Sequence, residues 1–227
     1  MERDDLLDRT PADGPARSRA GRPTRERAEQ RHEELLDSAL EVFLDRGFEL
    51  ATIDAIAASV GMTKRTLYAR YEDKAALFKA AVQRAIERFT VPIETLRRDE
   101  SGDLEETLKT IARRRIGHVM SPVGVRLQRI MGAESYRFPE MYNSAFEQGT
   151  LPMIAFLVEV LRRHMETGEL DIDDPYRAAT AFLSMVVGGP TRLAIAGAII
   201  TPDEMEERIR YTVRLFLRGA LTRQNAG

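Results

Sequence analysis

Residues 52–71 read TIDAIAASVGMTKRTLYARY, and this stretch predicts two short helices joined by a sharp turn at Gly61. Within the first helix, apolar residues recur three and four positions apart and form one stripe: Ile53, Ile56, Ala57 and Val60. Thr52 precedes the first helix and Thr63 the second, and a threonine hydroxyl there can accept a hydrogen bond from a free first-turn N–H group. Glycine suits the turn because it adopts φ > 0 at little cost. The stretch therefore predicts a helix-turn-helix.

The second of these helices has a polar face. Lys64, Arg65, Thr66 and Tyr68 lie away from Leu67, which points back at the first helix. The second helix of a helix-turn-helix enters the DNA major groove, and these side chains are donors for phosphates and base edges. The pattern indicates DNA binding, and Arg65 is the best candidate for a bidentate contact to guanine. The alternative is that Lys64 and Arg65 are ordinary solvated charges.

The motif extends through Thr66-Leu67-Tyr68 to Tyr71, Lys74, Leu77 and Phe78. With this extension it resembles the DNA-binding domain of the TetR family of transcription regulators. The resemblance implies an all-α chain of about nine helices, in which a three-helix DNA-binding domain precedes a larger helical domain for ligand binding and dimerisation. The resemblance assigns the DNA contacts to residues of the motif and its extension, and to one residue of the N-terminal arm that precedes them: Thr52, Thr63, Lys64, Arg65, Thr66, Tyr68, Tyr71, Lys74 and Arg22.

Length and composition are those of a soluble helical protein. The chain has 227 residues, of which 43% are hydrophobic and 31% charged. Because cysteine is absent, neither a disulfide nor a thiolate metal site is available, and we expect no metal and no cofactor. We find no apolar run near the roughly 20 residues of a membrane span and no signal-peptide pattern at the start. We therefore expect a cytoplasmic protein that binds no membrane.

The N-terminal segment is polar and basic. Residues 16–31 contain six arginines against two glutamates, and Gly21-Arg22-Pro23 resembles the minor-groove arms of some TetR-type domains. The alternative is a solvated tail that only aids solubility. We expect a disordered basic arm over residues 1–28, a DNA-binding domain over 29–76, a regulatory and dimerisation domain over 77–221, and a tail over 222–227.

Residues that favour the start of a helix recur along the remainder of the chain. Capping residues and first-turn prolines predict helices that start near residues 73, 103, 121, 139, 174 and 201. We expect a distortion near Gly149 and Pro152, and an interruption of the eighth helix at Gly188-Gly189-Pro190. Pro92 either ends or bends the fourth helix. No alternation typical of strands has a useful length.

The family resemblance implies a dimer formed by the last two helices, with apolar residues at the interface: Phe182, Met185, Val186, Leu193, Met205, Ile209, Phe216 and Leu217. The alternative is an intramolecular core without a partner. The resemblance also implies a small-molecule pocket, whose candidate residues are polar groups among apolar neighbours, with two apolar lining residues: His118, Gln128, Tyr142, Thr180, Ser184, Met120 and Phe146. Each of these, taken singly, is more often plain core or surface.

The function expected from these features is a repressor that binds a palindromic operator as a dimer and is released by a small-molecule inducer. The first alternative is a DNA-binding regulator without a ligand, which is controlled by a partner or acts as an activator. A helical enzyme is a remote alternative. The sequence has three histidines but no HExxH pair, no cysteine and no Gly-x-Gly-x-x-Gly after a strand, so we expect no enzyme activity.

Overall fold

The computed structural model describes residues 25–220, and these residues form helices connected by short turns. The elements are α1 (Arg25–Leu50), α2 (Ile53–Ser59), α3 (Lys64–Tyr68), α4 (Lys74–Arg88), α5 (Ile93–Arg98), α6 (Leu104–Val119), α7 (Pro122–Ala133), α8 (Pro139–Ala145), a π-helical segment (Phe146–Thr150), α9 (Leu151–Glu166), α10 (Pro175–Ile195) and α11 (Pro202–Ala220). The all-α prediction is confirmed. Arg22, the tail and nearly all of the predicted arm lie outside the described residues.

The nine predicted helices are present once α8, the π segment and α9 are counted as one continuous helical stretch. The short α5 is additional. Pro92 ends the preceding helix rather than bending it, since α4 stops at Arg88 and Pro92 occupies the N-cap position of α5. Leu96, which is 1% exposed, anchors this six-residue helix to the larger core.

Two apolar cores hold the chain together. The first unites α1–α4 with α7 and the start of α8, and the second unites α5, α6, α9, α10 and α11. Four rings lie at the centre of the first core, and Phe78 lies 4.9 Å from Phe43, 5.1 Å from Phe48 and 5.3 Å from Phe138 between ring centroids. Because Phe138 immediately precedes α8, this aromatic cluster joins the helix-turn-helix unit to the rest of the protein.

The turn between α2 and α3 depends on Gly61. Its φ is +61°, its N–H donates to the carbonyl of Ala58 and the next N–H, of Met62, donates to Ala57, which together close a Schellman motif. A Cβ at Gly61 would meet open space, so glycine is needed for its backbone conformation rather than for room.

We expect Gly61→Ala to lower the free energy of unfolding by about 1 kcal/mol, because an L side chain disfavours the left-handed region. Urea denaturation measures this change. Gly102→Ala is the matched control, since Gly102 has equal space and no positive φ, and it should be neutral or slightly stabilising. Equal effects of the two substitutions would contradict the role assigned to the turn.

The predicted distortion near Gly149 and Pro152 is present as the π-helical segment Phe146–Thr150. Proline has no N–H to donate and its ring crowds the carbonyl four residues earlier, so the chain widens by one residue before α9 begins. This widening turns part of the segment towards the interior of the larger domain.

The predicted interruption of the eighth helix is wrong, because α10 continues through Gly188, Gly189 and Pro190 to Ile195. Pro190 is buried, Phe182, Leu183 and Val186 before it pack into the second core, and Ala194 after it is buried as well. This packing offsets the single backbone hydrogen bond that proline removes. Local helix propensity alone predicts a break at these residues, because it does not include their packing.

The length and hydropathy of α10 are sufficient to cross a membrane, contrary to our expectation that no such run exists. One helix of this kind is weak support for a membrane span, because core helices of soluble proteins meet the same criterion. Only 33% of its apolar window is buried within the chain, so much of this helix remains uncovered.

Candidate functional site

Helix α3 has only five residues and is held in place by an N-terminal cap and one buried leucine. The Thr63 hydroxyl accepts a hydrogen bond from the backbone N–H of Thr66 at 3.2 Å, and the Thr52 hydroxyl caps α2 in the same way by accepting from Ala55 at 3.2 Å. Leu67, 1% exposed, packs into the first core and sets the rotation of the helix. Both threonines therefore position the motif, and any phosphate contact would be an addition to this capping role.

The opposite side of α3 faces solvent. Lys64, Arg65, Thr66 and Tyr68 are all exposed, as the sequence predicts. The guanidinium of Arg65 makes no hydrogen bond and no ion pair with any residue between 25 and 220. A guanidinium with all its donors available on the outer face of a rigid helix matches the geometry of base-edge readout.

Lys64 lies on the same face but is already paired. Its Nζ lies 3.0 Å from the carboxylate Oδ2 of Asp54 on α2, and this hydrogen bond raises the pKa of Lys64. The pair is exposed, so it is weak in water and can exchange for a phosphate. Lys64 therefore suits a backbone contact better than a base contact.

Lys74, a predicted phosphate contact, has a structural role within the chain. Its ammonium donates to three backbone carbonyls, those of Phe48 at 2.8 Å, Glu49 at 3.1 Å and Ala51 at 3.1 Å. These carbonyls follow the kink at Gly47, where the backbone φ is +75°. These three hydrogen bonds use every N–H donor of the ammonium and cap the end of α1, so a contact from Lys74 to a phosphate would replace one of them.

Tyr71, also a predicted DNA contact, packs within the chain. Its ring stacks on His32 of α1, with centroids 6.1 Å apart and an interplanar angle of 9°, and it packs against the first core. Burial raises the pKa of the Tyr71 hydroxyl. The ring therefore holds the end of the helix-turn-helix against α1.

A cavity of about 580 Å³ lies in the larger domain between α6, α7, the π segment, α9 and α10. Five of the seven predicted pocket residues line it: Gln128, Tyr142, Phe146, Thr180 and Ser184. His118 lines an adjoining cavity of about 60 Å³ instead. Met120 is corrected to a core residue, since it follows the last turn of α6 and packs against the second core.

Two groups in this region have perturbed pKa values. Burial lowers the pKa of His118, and the positive charge of Arg115 lowers it further, so the imidazole is neutral at neutral pH. Burial also lowers the pKa of Arg115, which lines both cavities. The sequence analysis missed Arg115, although its spacing from Ile111 and Val119 places it on the apolar stripe of α6.

The predicted dimer residues divide into two groups. Phe182, Val186, Ile209, Phe216 and Leu217 are buried in the core of the chain itself, so they are corrected to core residues with little surface for a partner. Met205 is partly buried against the same core. Met185 and Leu193 are exposed on α10, and α11 adds two exposed apolar residues that the sequence analysis did not select, Tyr211 and Leu215.

Two family models match the chain. One, described as bacterial regulatory proteins of the tetR family, matches residues 35–81, and the other, described as the C-terminal domain of AefR-like transcriptional repressors, matches residues 106–219. The second match alone spans half of the chain.

Two relatives of known sequence are regulators with a helix-turn-helix. The chain is 27% identical to YdeS of Bacillus subtilis (strain 168) over 156 residues, which cover 67% of this chain and 72% of YdeS. It is 39% identical over 59 residues to the transcriptional activator FasR of Mycolicibacterium smegmatis, and this match covers only 26% of this chain and 27% of FasR.

Two solved structures are similar over nearly their whole length. A TetR-family regulator from Mesorhizobium loti MAFF303099 is 25% identical with a TM-score of 0.75, and the match covers 88% of this chain and 100% of that one. The flavonoid-responsive regulator FrrA is 30% identical with a TM-score of 0.64, and the match covers 86% of this chain and 100% of FrrA.

Proposed function

The chain belongs to the TetR family of transcriptional regulators, which bind DNA, and from this premise we propose that it is a repressor that a small molecule releases from a palindromic operator. The observation that carries the proposal is the outer face of α3, where Arg65, Thr66 and Tyr68 project from a rigid core without taking part in it. In this proposal Arg65 reads a base and the neighbouring polar groups hold the phosphates.

Helix α7 is the proposed connection between the cavity and the DNA-binding unit. Gln128 and Met131 line the cavity, while Leu127, Ile130 and Met131 pack into the first core. On the outside of α7, the guanidinium of Arg126 pairs with Glu41 at 3.0 Å and with Asp45 at 2.5 Å, both on α1. A ligand that shifts α7 would therefore shift α1 and, through the shared core, α3. The coupling equals the difference in ligand affinity between the two states.

Dimerisation is proposed through α10 and α11. Tyr211 and Leu215 lie one turn apart on α11 and are 61% and 51% exposed, and α10 contributes Met185 and Leu193. Exposed apolar residues on two helices that pack against each other favour pairing with the same helices of a second copy. Two-fold pairing would also place two α3 helices for the two halves of a palindrome.

We expect the protein to sediment as a dimer at micromolar concentration and Leu215→Glu to weaken the dimer by at least about tenfold, because a charge would be buried at an apolar interface. Leu50→Glu is the matched control, since Leu50 is an exposed apolar residue on α1 and should leave the dimer intact. A monomeric wild-type protein would contradict dimerisation.

One relative supports regulation by a ligand, and one family model supports repression. FrrA is flavonoid-responsive by its description, and the model that matches residues 106–219 describes a repressor. FasR, which the chain matches over 59 residues, is an activator, so activation is the second candidate.

Transcription from a promoter that carries a DNA site, selected with this protein from a random duplex pool, decides between repression and activation. Repression predicts lower transcript levels with the protein present and their recovery when a compound that raises its melting temperature is added. Higher transcript levels with the protein would favour the activator. No recovery with any stabilising compound would contradict release by a ligand.

A further inference from the structure

Arg115 differs from its neighbours in having no acidic partner. Arg113 pairs with Glu206 at 2.6 Å and Arg114 with Asp99 at 2.6 Å, both near the surface. Arg115 is mostly buried, and its guanidinium donates to only one group within residues 25–220, the hydroxyl of Thr150 at 3.1 Å. A buried cation whose only partner is neutral is unfavourable, so its charge is uncompensated in this state of the protein.

The cavities in front of Arg115 contain no compensating charge. No Asp or Glu is among the described residues that line either one, and Arg192 adds a second positive group to the larger cavity. Among the described residues, the hydroxyl of Thr191 on the cavity wall is a buried polar atom without a hydrogen-bond partner. The side-chain amide of Gln128 also lines both cavities. The polar part of this site therefore offers a positive charge and unused polar groups.

Most of the remaining wall of the large cavity is apolar, and the hydroxyls of Thr180 and Ser184 already donate to backbone carbonyls of α10. Its wall includes Met131, Phe146, Ile154, Leu183, Val187 and Ile195. A volume of about 580 Å³ lies within the range of sites for small organic molecules. A ligand that fits this wall has an apolar body and one charged end.

We propose that the cavity binds an amphipathic monocarboxylate, with its carboxylate on Arg115 and its body against the apolar wall. This inference rests on the proposed function and names its ligand class. The planar guanidinium can donate two parallel hydrogen bonds to a carboxylate, and the low polarity of the site strengthens them. Arg192, the second cation, is exposed at the cavity wall, so Arg115 is the more buried of the two. One buried cation favours a monoanion, since a phosphate dianion would leave negative charge unpaired in the same apolar surroundings.

The position of Thr150 connects this site to the π-helical segment. Phe146 and Thr150 both lie in that segment and both line the large cavity, where Thr150 also accepts the hydrogen bond from Arg115. A carboxylate that engages Arg115 would therefore act on the junction of α8 and α9. Helix α8 follows Phe138 of the aromatic cluster, which gives the anion a route to the DNA-binding unit.

The test uses two acids, decanoate and 1-naphthoate, each paired with its uncharged methyl ester. Isothermal titration of the full chain measures affinity, and anisotropy of a labelled operator duplex measures release in the same buffer. We expect at least one acid to bind about tenfold or more tightly than its ester. Arg115→Met should remove this preference by weakening the acid about 10- to 100-fold while leaving the ester within about threefold, and Arg115→Lys should retain part of it.

Thermal unfolding without ligand provides a readout independent of binding. Because Arg115 is an uncompensated buried cation, Arg115→Met should raise the melting temperature of the free protein, whereas a purely structural arginine would lower it. Arg113→Met is the matched control on the same helix. It should leave the preference for acids unchanged, since Arg113 lies outside both cavities.

Three results would overturn the inference: esters that bind as tightly as acids, an Arg115→Met variant that keeps the preference, or no binding of any probe. The first leaves the proposed function intact if the bound esters still release the duplex. If no probe binds but an uncharged compound releases the duplex, the protein is controlled by a ligand and that ligand is not a carboxylate. Loss of duplex binding by the wild-type protein itself would instead count against the proposed function.

Discussion

Replacing Phe78 with alanine is expected to lower the free energy of unfolding by about 3–5 kcal/mol, the largest effect of any substitution considered for this chain. Phe78 is fully buried, and its ring lies within 5.3 Å of three other phenylalanine rings between centroids. The substitution removes the apolar surface and leaves a cavity at the point where α1, α4 and the start of α8 meet. Urea or thermal unfolding of the purified variant measures the loss.

Phe146→Ala is the matched control for this prediction. Phe146 is 41% exposed on the cavity wall, so its truncation should cost less than about 1 kcal/mol. Similar losses for the two phenylalanines would contradict the central position of the aromatic cluster. A loss below about 1 kcal/mol for Phe78→Ala would show that the two parts of the protein are held together elsewhere.

Replacing Arg65 with alanine is expected to weaken binding to the selected DNA site by about 1–3 kcal/mol and to change random duplex much less. The reason is that Arg65 projects from the outer face of α3 with no partner in the described structure, so its donors are available to a base edge. Anisotropy titrations on both duplexes, at one stated salt concentration, give the two affinities.

Lys64 supplies a useful comparison for Arg65, because it lies next to it on α3 but pairs with Asp54 at 3.0 Å. Lys64→Ala should weaken both duplexes alike and reduce the salt dependence of binding, as expected for a phosphate contact. If Arg65→Ala reduced both affinities equally, Arg65 would be a phosphate contact and not a base contact.

The helix-turn-helix could be predicted closely from the sequence because its determinants are local. The apolar spacing of Ile53, Ile56 and Ala57, the caps Thr52 and Thr63 and the turn at Gly61 all act within a few residues of one another. The exposed residues of α3 follow directly from the burial of Leu67.

The intramolecular roles of Lys74 and Tyr71 could not be predicted, because their partners are distant in sequence. The ammonium of Lys74 reaches carbonyls 23 to 26 residues earlier, and the ring of Tyr71 stacks on His32, 39 residues earlier. From the sequence alone, a lysine at the start of a helix near DNA is indistinguishable from one that caps a neighbouring helix.

The residues of α10 and α11 illustrate a different limit. Apolar residues such as Phe182 and Val186 on α10 and Ile209 on α11 are predicted to be buried. The sequence does not indicate whether they pack against the same chain or against a second one. In the structure these residues face the core of their own chain, and the exposed apolar residues include Tyr211 and Leu215.

Arg115 could not be selected from the sequence for a related reason. The run Arg113-Arg114-Arg115 is typical of a solvated surface unless the position of each residue around the helix is considered.

Selection of bound fragments from a random duplex pool tests the central claim most directly, namely that α3 is held outward to read DNA. At low salt, the purified protein is predicted to enrich an inverted repeat whose half-site centres lie about one or more whole helical turns apart. Arg65→Ala is predicted to reduce the base preference at one position in each half-site. Failure to enrich any sequence, from a protein that is folded by its unfolding curve, would contradict the claim.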